Sequence, residues 1–268
     1  MLTLAEFRLQ TGDGRRLSAN AGSVLQGLLV EQIDGALATH WHRPGLRPYS
    51  QHLLPCEGGA VWRIAALQQA AHDQIITPLL AEEKTSFLLK QKQLDVRITG
   101  RTLLSSLSYG ELTERYFLSG EETRRVLLRF ATPTSFKSDN SYMIYPSVQH
   151  IIGSLYQKWN AFAAGVSFED EQALQHLIQH IRIADYQLRM SPFSLEKVKI
   201  PAFVGEVELR LSGPGALVRL ADVLLAFANF SGIGIKTALG MGGCQTAGIT
   251  AGFGRGRQTS PLIPDKGT

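Results

Sequence analysis

Cysteine is scarce in this sequence: Cys56 and Cys244 are the only two among 268 residues. A chain of this length can bury a full hydrophobic core, so it needs no disulfide framework. Long apolar runs are also missing, since none approaches the roughly 18 residues that a membrane-spanning helix requires. Charged residues interrupt the N-terminal segment, where a signal peptide would keep an apolar core. We therefore expect a cytoplasmic protein without membrane association.

The balance of residue types is that of a folded globular protein. Hydrophobic residues make up 44% of the chain and charged residues 19%, which excludes a disordered protein. The formal net charge is +4, and the isoelectric point is about 9.1. An excess of positive charge favours an anionic partner such as nucleic acid, although many basic proteins bind none.

The first half of the chain predicts the order strand, helix, strand, strand, helix, strand. LTLAEFRL alternates apolar and polar residues as a half-buried strand does, and SANAGSVLQGLLVEQIDGALATHW carries apolar residues at helical spacing. Extended segments follow at RPGLRPYSQHLL and AVWRIAALQ. The pattern then predicts a helix over AAHDQIITPLLAEEK, despite Pro78, and one strand over SFLLKQKQLDVRITG.

The second half predicts a similar order. It opens with a strand, RRVLLRFATPTSFKS, and continues with a helix over YPSVQHIIGSLYQKWNAF whose proline falls in the first turn. A second helical pattern covers FEDEQALQHLIQHIRIADYQL. The chain then predicts a strand at AFVGEVELRLSG, a helix over GALVRLADVLLAFANF and a final strand at GCQTAGITAGF.

A βαββαβ order that occurs twice predicts an α+β protein with tandem ferredoxin-like (RRM-like) domains. We expect an N-terminal domain over residues 1–118 and a C-terminal domain over residues 125–268, joined by a hinge at LSGEETR. Single-stranded RNA commonly lies on the sheets of such domains.

A glycine-rich stretch, GIGIKTALGMGG, occupies residues 232–243 of the C-terminal domain. It is not a dinucleotide fingerprint, because Thr237 stands where the third glycine should be and because it follows a helix. It is not a P-loop either, since no Gly-Lys-Ser or Gly-Lys-Thr closes it. The glycines permit positive φ angles and a close approach of backbone N–H groups to a phosphate, with Lys236 adding a charge. Alternatively they are turn and helix-end residues, with Gly232 as a left-handed cap.

The same residues resemble the glycine-rich loop of the CRISPR-associated repeat-processing endoribonucleases, the Cas6 family of the RAMP superfamily. The shared pattern is glycine, hydrophobic, glycine, five residues with a cation, glycine, hydrophobic, glycine. FVGEVELRLSG and LADVLLAFANF resemble the family's approach to that loop, and FATPTSF with YPSVQHIIGSLYQKW resembles the opening of its second domain. The resemblance covers most of residues 125–248.

The resemblance implies two tandem ferredoxin-like domains and a defined reaction. Family members cut CRISPR precursor transcripts within each repeat without metal or cofactor, using the neighbouring 2′-hydroxyl as nucleophile and leaving a 2′,3′-cyclic phosphate. The implied partners are CRISPR repeat RNA and, in some systems, other effector subunits, with the chain as a monomer or homodimer. The implied RNA-binding loop residues are Lys236, Gly232, Gly234, Gly240 and Gly242.

The resemblance also indicates where a catalytic histidine would lie: after the first helix, before a run of basic, proline and aromatic residues. ALATHWHRPGLRPYS offers His42 and His40 there, and spacing favours His42. Arg43 and Arg47 flank this pair as candidate phosphate ligands. A histidine at a helix end can instead interact only with the helix dipole.

Other polar residues give weaker signals. Tyr49 and His52 are candidate second catalytic groups or ordinary strand residues. Dispersed cations offer further RNA contacts at Arg124, Arg125, Arg129, Lys137 and the GFGRGR tail. His176 and His180 have the spacing of a two-histidine metal face, but the glutamate of an HExxH motif is missing, so we expect no metal site.

Two other functions fit parts of the sequence. A non-catalytic RNA-binding subunit of a CRISPR effector complex would keep both domains and the glycine-rich loop but lack a working histidine. A phosphate-binding metabolic enzyme would use Lys236 in a closed small-molecule pocket.

Overall fold

The computed structural model describes residues 1–31, 33, 35, 41, 45–81, 85–89, 93–118, 121–168, 170–195 and 198–248. Helices and strands are numbered here in chain order. None of the described helices is both long enough and apolar enough to cross a membrane.

The first half contains five strands and three helical segments in its described part. They are β1 (Leu2–Thr11), α1 (Gly22–Val30) with a preceding 3-10 turn (Ala19–Ala21), β2 (Tyr49–Cys56), β3 (Gly59–Ala66), α2 (Gln69–Ala71, the π-helical turn His72–Ile76 and Thr77–Leu80), β4 (Ser86–Leu89), β5 (Leu94–Leu107) and α3 (Tyr109–Thr113 with the π-helical turn Glu114–Leu118).

The second half follows the same plan with two added hairpins. Its described elements are β6 (Arg125–Thr134), β7 (Phe136–Ser138), β8 (Ser141–Met143), α4 (Val148–Phe162), α5 (Glu171–Gln179), β9 (Ile181–Met190), β10 (Phe193–Leu195), β11 (Val198–Ile200), β12 (Phe203–Leu211), α6 (Gly215–Ser231), the 3-10 turn Thr237–Leu239 and β13 (Cys244–Ala247).

Both main sheets are antiparallel and have the strand order of a ferredoxin-like fold. The first is ordered β2-β3-β1-β5-β4, and the second is ordered β13-β6-β12-β9. Without the edge strand β4, each sheet places its four strands in the order 2-3-1-4 or its reverse. The predicted tandem ferredoxin-like fold is therefore confirmed.

The structure corrects three details of the predicted elements. Residues 181–188, predicted to continue a helix, lie in strand β9 because that strand pairs along its length with β12. SFLLKQKQLDVRITG is two strands, β4 and β5, which pair with each other. Helix α4 begins at Val148 with Ser147 as its N-cap, so Pro146 precedes the cap and does not lie in the first turn.

The two larger hydrophobic cores lie on the helical faces of the two sheets, and α3 belongs to the core of the second half. Phe7, Leu25 and Trp62 belong to the core of the first half. Tyr109, at the start of α3, packs instead among the second-half residues, with its ring 5.0 Å from Trp159. Its hydroxyl donates to the Leu67 carbonyl at 2.9 Å. The end of the first half is thereby packed into the core of the second.

The sequence ranges of the two sheets are separate. The first sheet uses residues 2–107 and the second uses residues 125–247. We propose domain limits of 1–118 and 125–268 on this basis, with α3 assigned to the first domain by chain order although it packs against α6 of the second.

Candidate nucleic-acid interface

The glycine-rich loop has the positive φ angles that its sequence predicts. The φ angles are 61° at Gly232, 87° at Gly234, 104° at Gly240 and 68° at Gly242. Lys236 also has a left-handed backbone, with φ 54° and ψ 35°. The expected left-handed cap is wrong at Gly232, because its ψ of 176° lies in a region that only glycine adopts readily.

These glycines lie against other backbone atoms, so the loop has no room for side chains there. A Cβ on Gly242 would overlap the carbonyl oxygen of Ile233, and one on Gly234 would overlap that of Ser135. A Cβ on Gly240 would lie 3.2 Å from the Cα of Gly22, at the start of α1. The glycines therefore serve close packing, including packing of the two halves against each other.

The amides of three loop glycines are occupied inside the protein. Their hydrogen bonds run from Gly232 to the Ala228 carbonyl at 3.0 Å, from Gly234 to Ser154 Oγ at 2.8 Å and from Gly242 to the Pro133 carbonyl at 3.0 Å. The expectation that these amides approach a phosphate is corrected accordingly, because each donor already has an acceptor. The cation of the loop, Lys236, is exposed.

Helix α4 supports the loop through a polar row at four-residue intervals, consisting of His150, Ser154 and Lys158. Residues so spaced lie on one helix face. Ser154 accepts the Gly234 amide, as described above. Lys158 Nζ donates to the carbonyls of Ser231 at 3.3 Å and Gly232 at 3.0 Å. Two members of the row therefore hold the loop, and the first, His150, lies one helical turn before them.

Lys158 is a buried lysine. Only 3% of the residue is exposed, and burial lowers the pKa of its ammonium group to about 7, with the nearby Cys244 thiol opposing this shift. Burial raises the pKa of that thiol to about 12. The lysine thus donates to carbonyls at the end of α6, which have no N–H donor within the helix.

A cleft of about 900 Å³ lies between the two halves above this row. Its lining comes from the segment before β2, the β7–β8 hairpin, α4, α5 and the glycine-rich loop. The cationic, aromatic and imidazole side chains that line it are Arg47, Phe136, Lys137, Tyr142, His150, Lys158 and Lys236. Several of these are exposed, among them Lys137, Tyr142 and Lys236, so the cleft is open to solvent.

The cleft brings together two predicted site residues from opposite ends of the chain. Arg47 comes from the first half and Lys236 from the glycine-rich loop of the second. The Arg47 guanidinium donates to the Gly45 carbonyl at 3.2 Å. Lys137, one of the dispersed cations, joins them. A cleft lined by several cations is suited to binding a phosphate backbone.

The candidate catalytic residues His40 and His42, and the candidate phosphate ligand Arg43, lie outside the described residues. The described residues on either side of them are Trp41 and Gly45. Trp41 is buried with its ring 5.8 Å from that of Tyr49, and Gly45 lines the cleft.

Tyr49 and His52 are strand residues whose burial removes them from solvent. They are 1% and 5% exposed. Burial raises the pKa of Tyr49. Burial, assisted by Arg63, lowers the pKa of His52 to about 3, so the imidazole is neutral. Neither can reach a substrate in the cleft, and their suggested role as second catalytic groups is wrong.

Arginines of the second sheet are paired with carboxylates. Arg124 contacts Glu122 at 2.6 Å. Across the sheet, Arg125 contacts Glu208 at 2.9 Å and Arg129 contacts Glu206 at 2.7 Å. Because these pairs offset the positive charge locally, the sheet surface is a weaker anion site than the cleft. The GFGRGR tail lies outside the described residues.

His176 of α5 and His180, which follows the helix as its C-cap, do not form a joint metal face. Nδ1 of His180 is hydrogen-bonded to the backbone carbonyl of His176 at 2.8 Å, while the His176 side chain is exposed. The described residues contain no group of three or more His, Cys, Asp or Glu side chains that could hold a metal ion.

Gln51, which the sequence did not single out, connects the loop to the first half. Its buried amide donates to the carbonyls of Gly22 at 2.7 Å and Ala238 at 3.0 Å. Trp62 donates to its side-chain oxygen at 2.7 Å. The sequence shows a glutamine within a predicted strand. Its hydrogen-bond partners cannot be identified from the sequence, because they are distant in the chain.

Known proteins resemble this chain in sequence. Residues 128–244 match the family described as CRISPR-associated endoribonuclease Cas6. The chain is 30% identical to a CRISPR-associated endoribonuclease Cas6 of Streptococcus thermophilus over 223 residues, which is 82% of this chain and 88% of the relative. It is also 30% identical to a Cas6 of Mycobacterium tuberculosis over 227 residues, covering 84% of this chain and 71% of that protein.

Solved structures resemble the fold. A Cas6 product complex superposes with a TM-score of 0.76 at 22% identity, covering 92% of this chain and 99% of that one. Thermus thermophilus Cas6 superposes with a TM-score of 0.71 at 23% identity, covering 92% of this chain and 98% of that one. At these identities, the likeness supports the fold.

Proposed function

Because the chain belongs to the Cas6 family of CRISPR-associated endoribonucleases, we propose that it cuts CRISPR precursor transcripts within the repeat to give mature guide RNAs. The observation that carries this proposal is the basic cleft between the two halves, in which Arg47 faces the same space as Lys236. RNA is the substrate class, and the net charge of +4 favours it.

The proposed reaction needs no metal. A base removes the proton of the 2′-hydroxyl, the 2′-oxygen attacks the adjacent phosphorus, and the bond from phosphorus to the 5′-oxygen breaks. The products are a 2′,3′-cyclic phosphate and a 5′-hydroxyl. Proton transfer of this kind contributes about 10²- to 10⁴-fold to the rate.

We assign the base to His42, with His40 as the alternative. Histidine suits the task because imidazole exchanges protons near neutral pH. Lys236 would stabilise the negative charge that grows on the phosphorane, and Arg43 and Arg47 would hold the neighbouring phosphates. Gly232, Gly234, Gly240 and Gly242 would contribute by holding Lys236 at the cleft, since the described packing uses the glycines within the fold.

The test is cleavage of the cognate repeat RNA by purified protein in excess EDTA. The parent is compared with His42→Ala, His40→Ala and the double variant, and with an RNA that carries a 2′-deoxynucleotide before the cut. We expect one cut within the repeat, insensitive to EDTA, absent with the 2′-deoxy substrate and lost in His42→Ala. Loss in His40→Ala alone would move the base to His40. Dependence of the parent on divalent ions would contradict the mechanism.

A second candidate is a non-catalytic RNA-binding subunit of a CRISPR effector complex. The observation that favours it is that the described cleft offers cations, which would bind RNA with or without cleavage. Tight binding of intact repeat RNA by the parent would support this alternative. We propose a cytoplasmic monomer or homodimer in either case, which light scattering of the free protein and of the RNA complex would test.

A further inference from the structure

The reaction proposed above has no assigned proton donor for its leaving group. The 5′-oxygen departs as an alkoxide unless an acid protonates it. Tyr49 and His52 cannot act there because both are buried. Among the described residues that line the cleft, His150 is the single histidine.

His150 is the first residue of the polar row on α4. Ser154 and Lys158 follow at four-residue intervals, and each binds the glycine-rich loop, at Gly234 and Gly232 respectively. A spacing of four residues corresponds to about 6 Å along the helix axis. His150 is therefore one turn from the residue that binds the Gly234 amide, on the face that carries the loop. Its side chain is half-buried and lines the cleft beside Lys137 and Tyr142.

Two contacts set the orientation of the His150 ring. The imidazole stacks on Phe136 with ring centres 5.1 Å apart and an angle of 18° between the planes. Nδ1 lies 3.0 Å from Ser147 Oγ, which also accepts the backbone N–H of His150 at 3.2 Å as the N-cap of α4. A hydroxyl oxygen has two lone pairs, so it can accept both N–H groups. The ring is thus tethered through Nδ1, and Nε2 is the nitrogen left for a ligand in the cleft.

We propose that His150 is the general acid that protonates the leaving 5′-oxygen. This inference rests on the proposed ribonuclease function. With the ring protonated, Nδ1–H donates to Ser147 and Nε2–H donates to the 5′-oxygen. As the phosphorus–oxygen bond breaks, its electron pair goes to the 5′-oxygen, which takes the Nε2 proton. The ring becomes neutral and keeps its Nδ1–H bond to Ser147.

The two proton transfers of the reaction balance. The histidine of the first half has gained the 2′-hydroxyl proton, and His150 has lost one, so the pair ends with the proton count at which it began. Lys236 does not take part in proton transfer and serves the phosphate charge. One catalytic group would then come from each half of the molecule.

The test compares two RNA substrates under single-turnover conditions with saturating protein. One is the repeat RNA, and the other carries a 5′-bridging sulfur at the scissile phosphate. A thiolate leaves without protonation, so loss of a general acid affects only the oxygen substrate. We expect His150→Phe, which keeps a ring to stack on Phe136, to slow the oxygen substrate about 100- to 10,000-fold. The sulfur substrate should be cut at nearly the parental rate.

His176→Phe is the matched control, because His176 is an exposed histidine of α5 whose side chain does not line the cleft. It should cut both substrates as the parent does. His150→Gln provides a second variant, and thermal unfolding of each variant identifies misfolding. Parental rates on the oxygen substrate, or an equal loss on both substrates in folded variants, would overturn the assignment of His150. A parent that cuts neither substrate would instead overturn the proposed function, and His150's role with it.

Discussion

Two lysines differ in their surroundings at the glycine-rich loop, although both line the cleft. Lys158 lies beneath the loop, buried, with its ammonium group bonded to the carbonyls of Ser231 and Gly232. Lys236 lies on the loop itself with its side chain exposed to the cleft. One cation therefore belongs to the protein's own hydrogen-bonding network, while the other is available to an anionic ligand.

This contrast separates the support of the loop from its function. The inner surface of the loop is the side that Lys158 contacts. Altering groups on it should lower the stability of the protein, because their partners are buried. The outer surface of the loop is the exposed side that carries the Lys236 side chain. Altering groups on it should change RNA binding with little effect on folding. Three variants of the loop and of Lys158 test that separation, and a fourth, Asp222→Asn, tests another buried ionisable group; they are ordered from the largest expected effect to the smallest.

Gly242→Ala would distort the glycine-rich loop itself, so its effects on the inner and outer surfaces could not be separated. The added Cβ would meet the carbonyl oxygen of Ile233 at a residue whose φ is 68°. We expect a loss of about 3 kcal/mol or more in the free energy of unfolding, measured by urea denaturation. Gly27→Ala is the control: it lies within α1 with open space around its Cβ position, and it should stabilise by about 0.5 to 1 kcal/mol. Equal stabilities of the two variants would refute the packing argument.

Lys158→Met tests the inner surface. The Ser231 carbonyl loses its side-chain donor, and the Gly232 carbonyl keeps only the Ser231 hydroxyl, so we expect a destabilisation of about 1 to 3 kcal/mol. The pKa of Lys158 is about 7 when folded and ordinarily 10.5. Between these values the unfolded chain binds the extra proton, so parental stability from this group rises with pH. The difference between parent and variant should therefore be larger at pH 9.5 than at pH 6.5, and a difference independent of pH would contradict this account.

Asp222→Asn tests a second buried charge, in the middle of α6. Burial, aided by Glu122, raises the pKa of Asp222 to about 7, against the opposing hydrogen bond from the Thr123 amide. The folded protein then holds a proton that the unfolded chain releases above its ordinary pKa, so parental stability falls as pH rises from about 4 to 7. The variant should lack this fall and gain about 1 kcal/mol at pH 8. Parallel stability curves against pH would rule the interpretation out.

Lys236→Gln tests the outer surface and has the smallest expected effect. We expect unchanged unfolding, a loss of RNA affinity within about 10-fold, and a decrease of about 1 in the slope of log affinity against log salt. Filter binding over a salt series measures both quantities. Lys199→Gln, an exposed lysine of β11 outside the cleft lining, should bind as the parent does. An unfolding midpoint lowered by Lys236→Gln would show that the separation between the surfaces is incomplete.

Local sequence patterns predicted elements well where the chain's own neighbours decide the structure. Alternation gave β1, and helical spacing gave the core of α4. The same reasoning failed at residues 181–188, where the helical pattern of α5 was extended into strand β9. Nothing within that segment shows that it pairs with β12, because the partner lies beyond an intervening hairpin.

The candidate site was predictable in part for the same reason. The glycine pattern identified the loop, and Lys236 was identified with it. The role of His150 was not visible, although the row with Ser154 and Lys158 can be counted in HIIGSLYQK. A four-residue interval shows that three side chains share a helix face, but it does not show what that face contacts.

The sequence by itself determined that residues 232–243 need glycine and that two similar halves form ferredoxin-like sheets, since backbone sterics and apolar periodicity are local properties. Only the tertiary structure decided that Lys158 is enclosed and Lys236 open, and that Arg47 reaches the same cleft. Burial and the approach of distant residues depend on how the two halves pack. That packing arises from contacts between many segments, so the sequence of one segment does not predict it.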